Sequence, residues 1–173
     1  MARSRMTRLF ALDHNFPDPI VSILAAFQAD ARLVRIDQVD PAMPDLDDWK
    51  LLVALHQHPK PWDGLITTDS SMLNQGPELA ALIQTKLTLV VATASGHDPV
   101  KASGLLFAYL GGICKRTNPV AAQVWRLNAA ERAATEPWEL LKRFAEHSNR
   151  STEEVWSEFR FTDDQLRTPV IEG

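Results

Sequence analysis

Aspartates follow two short apolar runs of this sequence, and a third group of aspartates begins an apolar helical segment. Asp13 directly follows the run 8–12, and Asp69 directly follows the run 64–68. The third group lies between them in the chain and consists of Asp45, Asp47 and Asp48. In an α/β protein, the carboxyl ends of parallel strands and nearby helix starts meet along one edge of the sheet, where ligands bind. Carboxylates brought together there repel one another unless a cation lies among them, so the sequence predicts a divalent metal site.

The composition is that of an ordinary globular protein. The chain has 173 residues, of which 45% are hydrophobic, and this is enough for one domain with a substantial core. The net charge of −4 means that binding of nucleic acid would require a local basic patch. The basic residues available for such a patch include Arg3, Arg5, Arg8, Lys101, Lys115 and Arg116.

The cysteine count and the lack of a long apolar stretch bear on the compartment. Cys114 is the single cysteine, which excludes an internal disulfide framework and favours a reducing, cytoplasmic compartment. It lies in an apolar stretch, so we expect a buried thiol rather than a nucleophile. No run of about 18 apolar residues exists, so no membrane span is expected.

Strands and helices are predicted to alternate over most of the chain. The predicted strands are 8–12, 32–36, 64–68, 88–92 and 121–127. The predicted helices are one capped by Asp18 before Pro19, one from the acidic group to His58, 77–83, one capped by Asp98 and running to Lys115, 136–147, and 151–159 with a Ser151–Glu154 capping box. Residues 37–44 are predicted to be a loop.

This alternation predicts a three-layer α/β/α fold with a mostly parallel sheet of four to five strands. Residues 1–128 would form the domain, and residues 129–173 a C-terminal helical extension packed on it. The aromatic residues of this extension could also join two copies of the chain, so a homodimer is a further expectation.

Three short motifs, in this order, resemble those of PIN-like nuclease domains. Leu12-Asp13-His14-Asn15-Phe16-Pro17 is similar to the family's opening motif, in which a strand ends in Asp-Glu-Asn. Asp47-Asp48-Trp49 is similar to the acid-rich helix start of the family. Ile66-Thr67-Thr68-Asp69-Ser70-Ser71-Met72 is similar to the Thr-x-Asp-x-Asp-Phe segment after the third strand. The resemblance covers residues 8–127, and the nearest branch is the compact group related to VapC-type toxins.

The resemblance implies metal-dependent phosphodiester hydrolysis, usually of RNA, by a component of a toxin–antitoxin pair. The implied catalytic residues are Asp13, Asp48 and Asp69, and the implied ligands of Mg²⁺ or Mn²⁺ are Asp13, Asp47, Asp48 and Asp69. Asn15 and Ser71 would assist by hydrogen bonding. The choice between Asp47 and Asp48 as the ligand from the helix start stays open. The implied partners are RNA and an antitoxin-like protein.

Three positions depart from the family pattern. His14 replaces a glutamate, Ser71 replaces the final aspartate, and Met72 replaces a phenylalanine. The first two changes remove negative charge and lower the expected affinity for a metal. They leave open a weak nuclease or a non-catalytic interaction module with a degenerate acidic site. A third possibility is a phosphohydrolase that uses the same acids on small molecules.

Overall fold

The computed structural model of the protein describes residues 7–93, 98–118, 120–128 and 134–171. Arg3 and Arg5, which were considered for a basic patch, lie outside the described residues. No helix within the described ranges is long and apolar enough to cross a membrane.

Five parallel strands form one sheet in the described part of the chain, in the order β2-β1-β3-β4-β5. The strands are β1 (Arg8–Leu12), β2 (Ala31–Arg35), β3 (Gly64–Thr67), β4 (Thr88–Val91) and β5 (Gln123–Arg126). The predicted α/β class and mostly parallel sheet are therefore confirmed. β1 lies between β2 and β3, so the strand order reverses at β1. Ligands of such sheets bind outside the carboxyl ends of the strands at this reversal, which here is the edge where β1 and β3 end.

Helices cover both faces of the sheet. They are α1 (Asp18–Phe27), α2 (Ile36–Val39), α3 (Asp48–Gln57), α4 (Gly76–Thr85), α5 (Pro99–Arg116), α6 (Pro137–His147), α7 (Thr152–Phe159) and α8 (Asp163–Arg167). One core cluster joins the sheet to α1 and α5, and the other joins it to α3, α4, α6 and α7. The fold thus has three layers, as predicted.

Burial of both sheet faces explains why the strands are continuous apolar runs. In β1, Leu9 and Ala11 belong to the core cluster of α3 and α4, whereas Phe10 and Leu12 belong to that of α1 and α5. Because side chains alternate between faces along a strand, Asp13 continues the row of Leu9 and Ala11. The first aspartate therefore points to the side of the sheet on which α3 and α4 lie.

Three local predictions were wrong. The predicted loop 37–44 contains all but the first residue of α2 and the start of a 3-10 helix at Met43–Asp45. Asp18 does not cap α1 but occupies its first turn, and its carboxylate pairs with Arg35 at 2.6 Å. The acidic helix begins at Asp48 rather than at Asp45, since Asp45 belongs to the 3-10 helix. The short helix α8 was not predicted.

Residues 136–171 pack against α3 and α4 on one side of the sheet. The ring of Phe159 lies over Gly76, where an added Cβ would come within 2.3 Å of it. The side-chain amide of Gln84 donates to the carbonyl of Phe161 at 2.8 Å and accepts from its N–H at 2.7 Å. The aromatic residues of this segment thus contact the same chain. The division at residue 128 and the homodimer stay predictions.

Cys114 is buried in the core that contains α5, as expected from the sequence. It is 8% exposed, and burial raises the pKa of its thiol to about 11. A thiol with such a pKa carries almost no thiolate at neutral pH, so it is a packing residue rather than a nucleophile.

Candidate functional site

The hydroxyl of Thr67 connects the two strand-end aspartates. Thr67 is the last residue of β3 and is fully buried. Its Oγ1 donates a hydrogen bond to Oδ2 of Asp13 at 2.8 Å and accepts one from the backbone N–H of Asp69 at 3.0 Å. The backbone N–H of Asp13 also donates to the carbonyl of Ile66 at 2.9 Å. Asp13 and Asp69 therefore lie together at the carboxyl ends of β1 and β3, where the strand order reverses.

The turn after β1 surrounds the carboxylate of Asp13 with donors. The backbone N–H and the imidazole Nδ1 of His14 both lie 2.7 Å from Oδ1 of Asp13. The amide of Asn15 donates to Oδ2 at 3.3 Å. Phe16, which is fully buried, anchors the turn in the core. The Asp13 side chain is only 13% exposed, so these donors fix its orientation.

The side chain of Asp69 and the backbone of Ser71 are joined within one turn. Oδ1 of Asp69 accepts from the backbone N–H of Ser71 at 2.8 Å and so caps the 3-10 helix Ser70–Asn74. The hydroxyl of Ser71 is exposed and lies 3.5 Å from the side-chain amide of Gln75. The hydrogen bond between Ser71 and Asp69 therefore comes from the backbone of Ser71 and not from its hydroxyl.

Asp48 is the residue from the helix start that faces the strand-end aspartates. Burial raises the pKa of the Asp48 carboxyl above its usual range. The negative charges of Asp69, Asp13 and Asp47, in that order of size, raise this pKa further, and His14 lowers it. The carboxylates are thus close enough for their charges to make ionisation of Asp48 less favourable than that of an exposed aspartate.

Asp47 lies at the rim of this group. Its side chain is 63% exposed, and its carboxylate pairs with Lys50 at 2.6 Å. The charge of Asp47 is therefore balanced by Lys50 at the surface, and the geometry favours Asp48 over Asp47 as the inner acid. We call Asp13, Asp48 and Asp69 the acidic pocket.

Glu78 was missed by the sequence analysis and lies beside the acidic pocket. It belongs to the first turn of α4, is 4% exposed, and its Oε2 has no hydrogen-bond partner among the described residues. Burial raises the pKa of its carboxyl, the backbone N–H of Glu78 lowers it, and the charges of Asp48 and Asp47 raise it. An acid in the first turn of a helix is normally read as a partner of the helix dipole, so only the fold reveals the burial of Glu78.

The carboxyl groups at this edge of the sheet have the oxygen atoms that a hard divalent cation prefers. Their spacing is not that of a coordination shell. Asp13, Asp48, Asp69 and Glu78 offer carboxylate oxygens, which Mg²⁺ and Mn²⁺ prefer. One of these oxygens, Oε2 of Glu78, is buried without a partner. Within the described ranges, however, no group of three or more His, Cys, Asp or Glu side chains is spaced to hold a metal ion.

Two of the basic residues considered for a binding patch lie away from the acidic pocket. Arg8 begins β1 and pairs with Asp63 at 2.9 Å, so it stabilises the opposite end of the sheet. Lys115 lies near the end of α5, 3.7 Å from Asp30. In contrast, Arg126 ends β5 at the same edge as the acidic pocket. Arg126 was not singled out because one arginine at the end of a short strand carries no local signal.

Comparison of the chain with protein-family models, with curated proteins and with solved structures found no match. The functional argument therefore depends on the site itself, and the likeness to PIN-like domains stays a resemblance of short motifs.

Proposed function

We propose that the protein is a Mg²⁺- or Mn²⁺-dependent ribonuclease of the PIN-like type, which acts in the cytoplasm as the toxin of a toxin–antitoxin pair. The observation that carries the proposal is the convergence of Asp13, Asp48 and Asp69 at the reversal of strand order. The charges of Asp69 and Asp13 raise the pKa of Asp48, and a cation among the three carboxyl groups would neutralise that charge. The unpartnered carboxyl oxygen of Glu78 beside the pocket supports the same conclusion.

In this proposal each residue of the pocket has a distinct task. Asp13, Asp48 and Asp69 hold the cation, with Asp47 at the rim. When bound, Mg²⁺ or Mn²⁺ would lower the pKa of a water and neutralise charge on the phosphate. Thr67 and Asn15 keep the Asp13 carboxylate oriented through their hydrogen bonds, and the backbone N–H of Ser71 does the same for Asp69. Such support matters because small displacements of reacting groups are costly in rate.

Protons compete with the cation at Asp48. Because its pKa is raised, Asp48 retains a proton to higher pH than an exposed aspartate does. A cation must displace that proton, so metal binding would strengthen as pH rises through the pKa of Asp48. Activity is therefore expected to fall as pH drops through the pKa of Asp48, which lies above that of an exposed aspartate.

A thermal-shift titration with Mn²⁺ tests the proposal. At a Mn²⁺ concentration ten times Kd, linkage gives about 1.4 kcal/mol of stabilisation, or about 3–6 °C in Tm for a chain of this size. The shift should vanish in Asp13→Asn and Asp69→Asn. Asp45→Asn is the matched control, because Asp45 belongs to the same acidic run but is exposed and does not act on Asp48. It should keep the wild-type shift.

Cleavage assays then identify the substrate class. Wild-type protein with Mn²⁺ should cleave single-stranded RNA, and EDTA or Asp69→Asn should abolish the cleavage. Hydrolysis of simple phosphate esters without cleavage of RNA would instead indicate a small-molecule phosphohydrolase.

One observation favours the second candidate, a non-catalytic interaction module with a degenerate acidic site. Both oxygens of Asp13 are already engaged, one by His14 and the other by Thr67 and Asn15. If these bonds satisfy the pocket without a cation, millimolar Mn²⁺ will leave Tm unchanged while the protein remains folded. That result would reject the nuclease and favour the module.

A further inference from the structure

A cavity at the carboxyl end of β5 is basic and lies close to the acidic pocket. It has a volume of about 570 Å³ and is bounded by the end of β5, the 3-10 helix Ser70–Asn74 and α6. Its basic lining residues are Arg126, Arg143 and His147. No Asp or Glu of the described residues lines it. We call this space the basic cavity.

Arg126 is the innermost cation of the basic cavity. Its Nε atom is buried and has no hydrogen-bond partner among the described residues. Burial of a charged donor without an acceptor is costly, and in proteins such groups are normally paired. An anion in the cavity would supply the missing acceptor.

Arg143 and His147 extend the positive surface along α6. They are four residues apart, so their side chains are neighbours on one face of the helix. Nδ1 of His147 lies 2.7 Å from the carbonyl of Arg143. Because a carbonyl only accepts, Nδ1 donates, and in the imidazolium form Nε2–H is a second donor that a phosphate oxygen can accept from. By contrast, Lys142 on the same helix pairs with Glu139 at 2.7 Å.

The basic cavity and the acidic pocket share one edge of the sheet. β4 separates β5 from β3, and neighbouring strands lie about 4.8 Å apart, so Arg126 is about 10 Å from the strand that leads into Asp69. The 3-10 helix that lines the cavity begins directly after Asp69. A polymer could therefore occupy both sites, whereas a single small anion could not.

We propose that the basic cavity binds a backbone phosphate of single-stranded RNA, next to the phosphate held at the acidic pocket. Arg126 and Arg143 hold the phosphate oxygens, with His147 at the rim. The apolar lining, which includes Leu140 and Phe144, accommodates the adjoining base. The choice of RNA as the ligand and the neighbouring phosphate at the acidic pocket rest on the proposed ribonuclease function, whereas the binding of a phosphate in the basic cavity does not.

RNA binding in EDTA tests the proposal without catalysis. The probe is a short fluorescein-labelled oligouridine, and binding is followed by fluorescence anisotropy over a range of salt concentrations. Arg143→Ala and Arg126→Gln should each weaken binding by about tenfold, since each removes a charge-assisted hydrogen bond. Each should also reduce the slope of log K against log salt by about 0.7, the value for one phosphate contact on a single strand.

Lys142→Ala is the matched control, because it removes one positive charge from the same helix outside the cavity. It should leave both the affinity and the salt slope unchanged. Arg126→Gln could reduce stability, so its Tm is measured alongside, and the exposed Arg143 keeps the test independent of folding. Inorganic phosphate at equal phosphate concentration should compete much more weakly than unlabelled oligouridine, which distinguishes a polymer from a free ion.

The outcomes separate this proposal from the nuclease proposal. Loss of RNA binding in the two arginine variants but not in the control supports the cavity, whether or not the wild type cleaves RNA. Wild-type affinity in both arginine variants, equal weakening by Lys142→Ala, or no RNA binding by the wild type would overturn it. Cleavage by the wild type together with unchanged binding in the variants would overturn the cavity alone.

Discussion

Replacement of Thr67 by valine should destabilise the protein and loosen the acidic pocket. Valine has the same shape, so the change removes the hydroxyl and leaves the packing intact. The bond to the carboxylate of Asp13 is charge-assisted, and such bonds contribute about 1.5–3 kcal/mol. The half-buried N–H of Asp69 also loses its acceptor, which costs about 1 kcal/mol more. The expected loss of stability is about 3 kcal/mol, or about 6–12 °C in Tm.

Thr85→Val is the control for this prediction. Thr85 is also buried, but its hydroxyl donates to the carbonyl of Ala81 within the same helix at 2.8 Å. That carbonyl is also positioned to accept the ordinary helical bond, so the expected loss is about 1 kcal/mol or less. Urea denaturation of both variants in EDTA measures the two free energies of unfolding. Equal losses in the two variants, or a loss below about 0.5 kcal/mol in Thr67→Val, would refute the role of Thr67 as the link between the aspartates.

Two further predictions concern buried groups near the sheet edge and within the sheet. The folded-state pKa of Glu78 is raised, so its stabilising contribution is full below the unfolded pKa of about 4.3 and is lost as pH rises through the folded pKa. The Tm of Glu78→Gln should therefore exceed that of the wild type near neutral pH in EDTA, and this difference in Tm should shrink toward about pH 4.5. Thermal melts at several pH values measure it. A difference in Tm that is the same at every pH would contradict the prediction. Gly64→Ala should prevent folding, because the added Cβ would lie 1.8 Å from the carbonyl oxygen of Thr88 on the neighbouring strand. Gly104→Ala, which meets nothing within 4 Å on the surface of α5, should instead raise stability by about 0.5–1 kcal/mol, and circular dichroism melts of both variants compare them.

The sheet could be predicted from the sequence because its strands are buried on both faces. β1 has the predicted bounds, and β3 and β4 end one residue before the predicted ends. Such runs are apolar whatever the neighbouring elements are, so the signal is local. The meeting of Asp13 and Asp69 at one edge follows from the parallel arrangement, which places the carboxyl ends of the strands together.

Helix caps could not be predicted as well, and the two Asp-Pro pairs show why. Asp98 caps α5, because its carboxylate accepts from the N–H groups of Val100 and Lys101. Asp18 precedes a proline in the same way, yet Arg35 at the end of β2 draws its carboxylate away. Whether the aspartate caps its helix thus depends on a partner that is distant in sequence, here Arg35. The residues around the Asp-Pro pair carry no information about that partner.

The missed site residues have the same cause. Glu78 has the sequence context of an ordinary acid in a first helical turn, and it is buried only because α4 packs against α3 and the C-terminal segment. Arg126 and Arg143 are brought together by the packing of α6 beside the sheet edge. Their roles depend on contacts between residues far apart in the chain, so no spacing rule could have found them.

The central claim, that Asp13, Asp48 and Asp69 form a single cation site, is tested most directly by anomalous diffraction from crystals soaked in Mn²⁺. The account predicts an anomalous peak within about 2.0–2.4 Å of carboxylate oxygens of Asp13 and Asp69, with Asp48 as a third neighbour. Crystals of Asp69→Asn treated in the same way should lack that peak. A fully soaked wild-type crystal with no peak between the two strand ends, or with Mn²⁺ bound only elsewhere, would contradict the account.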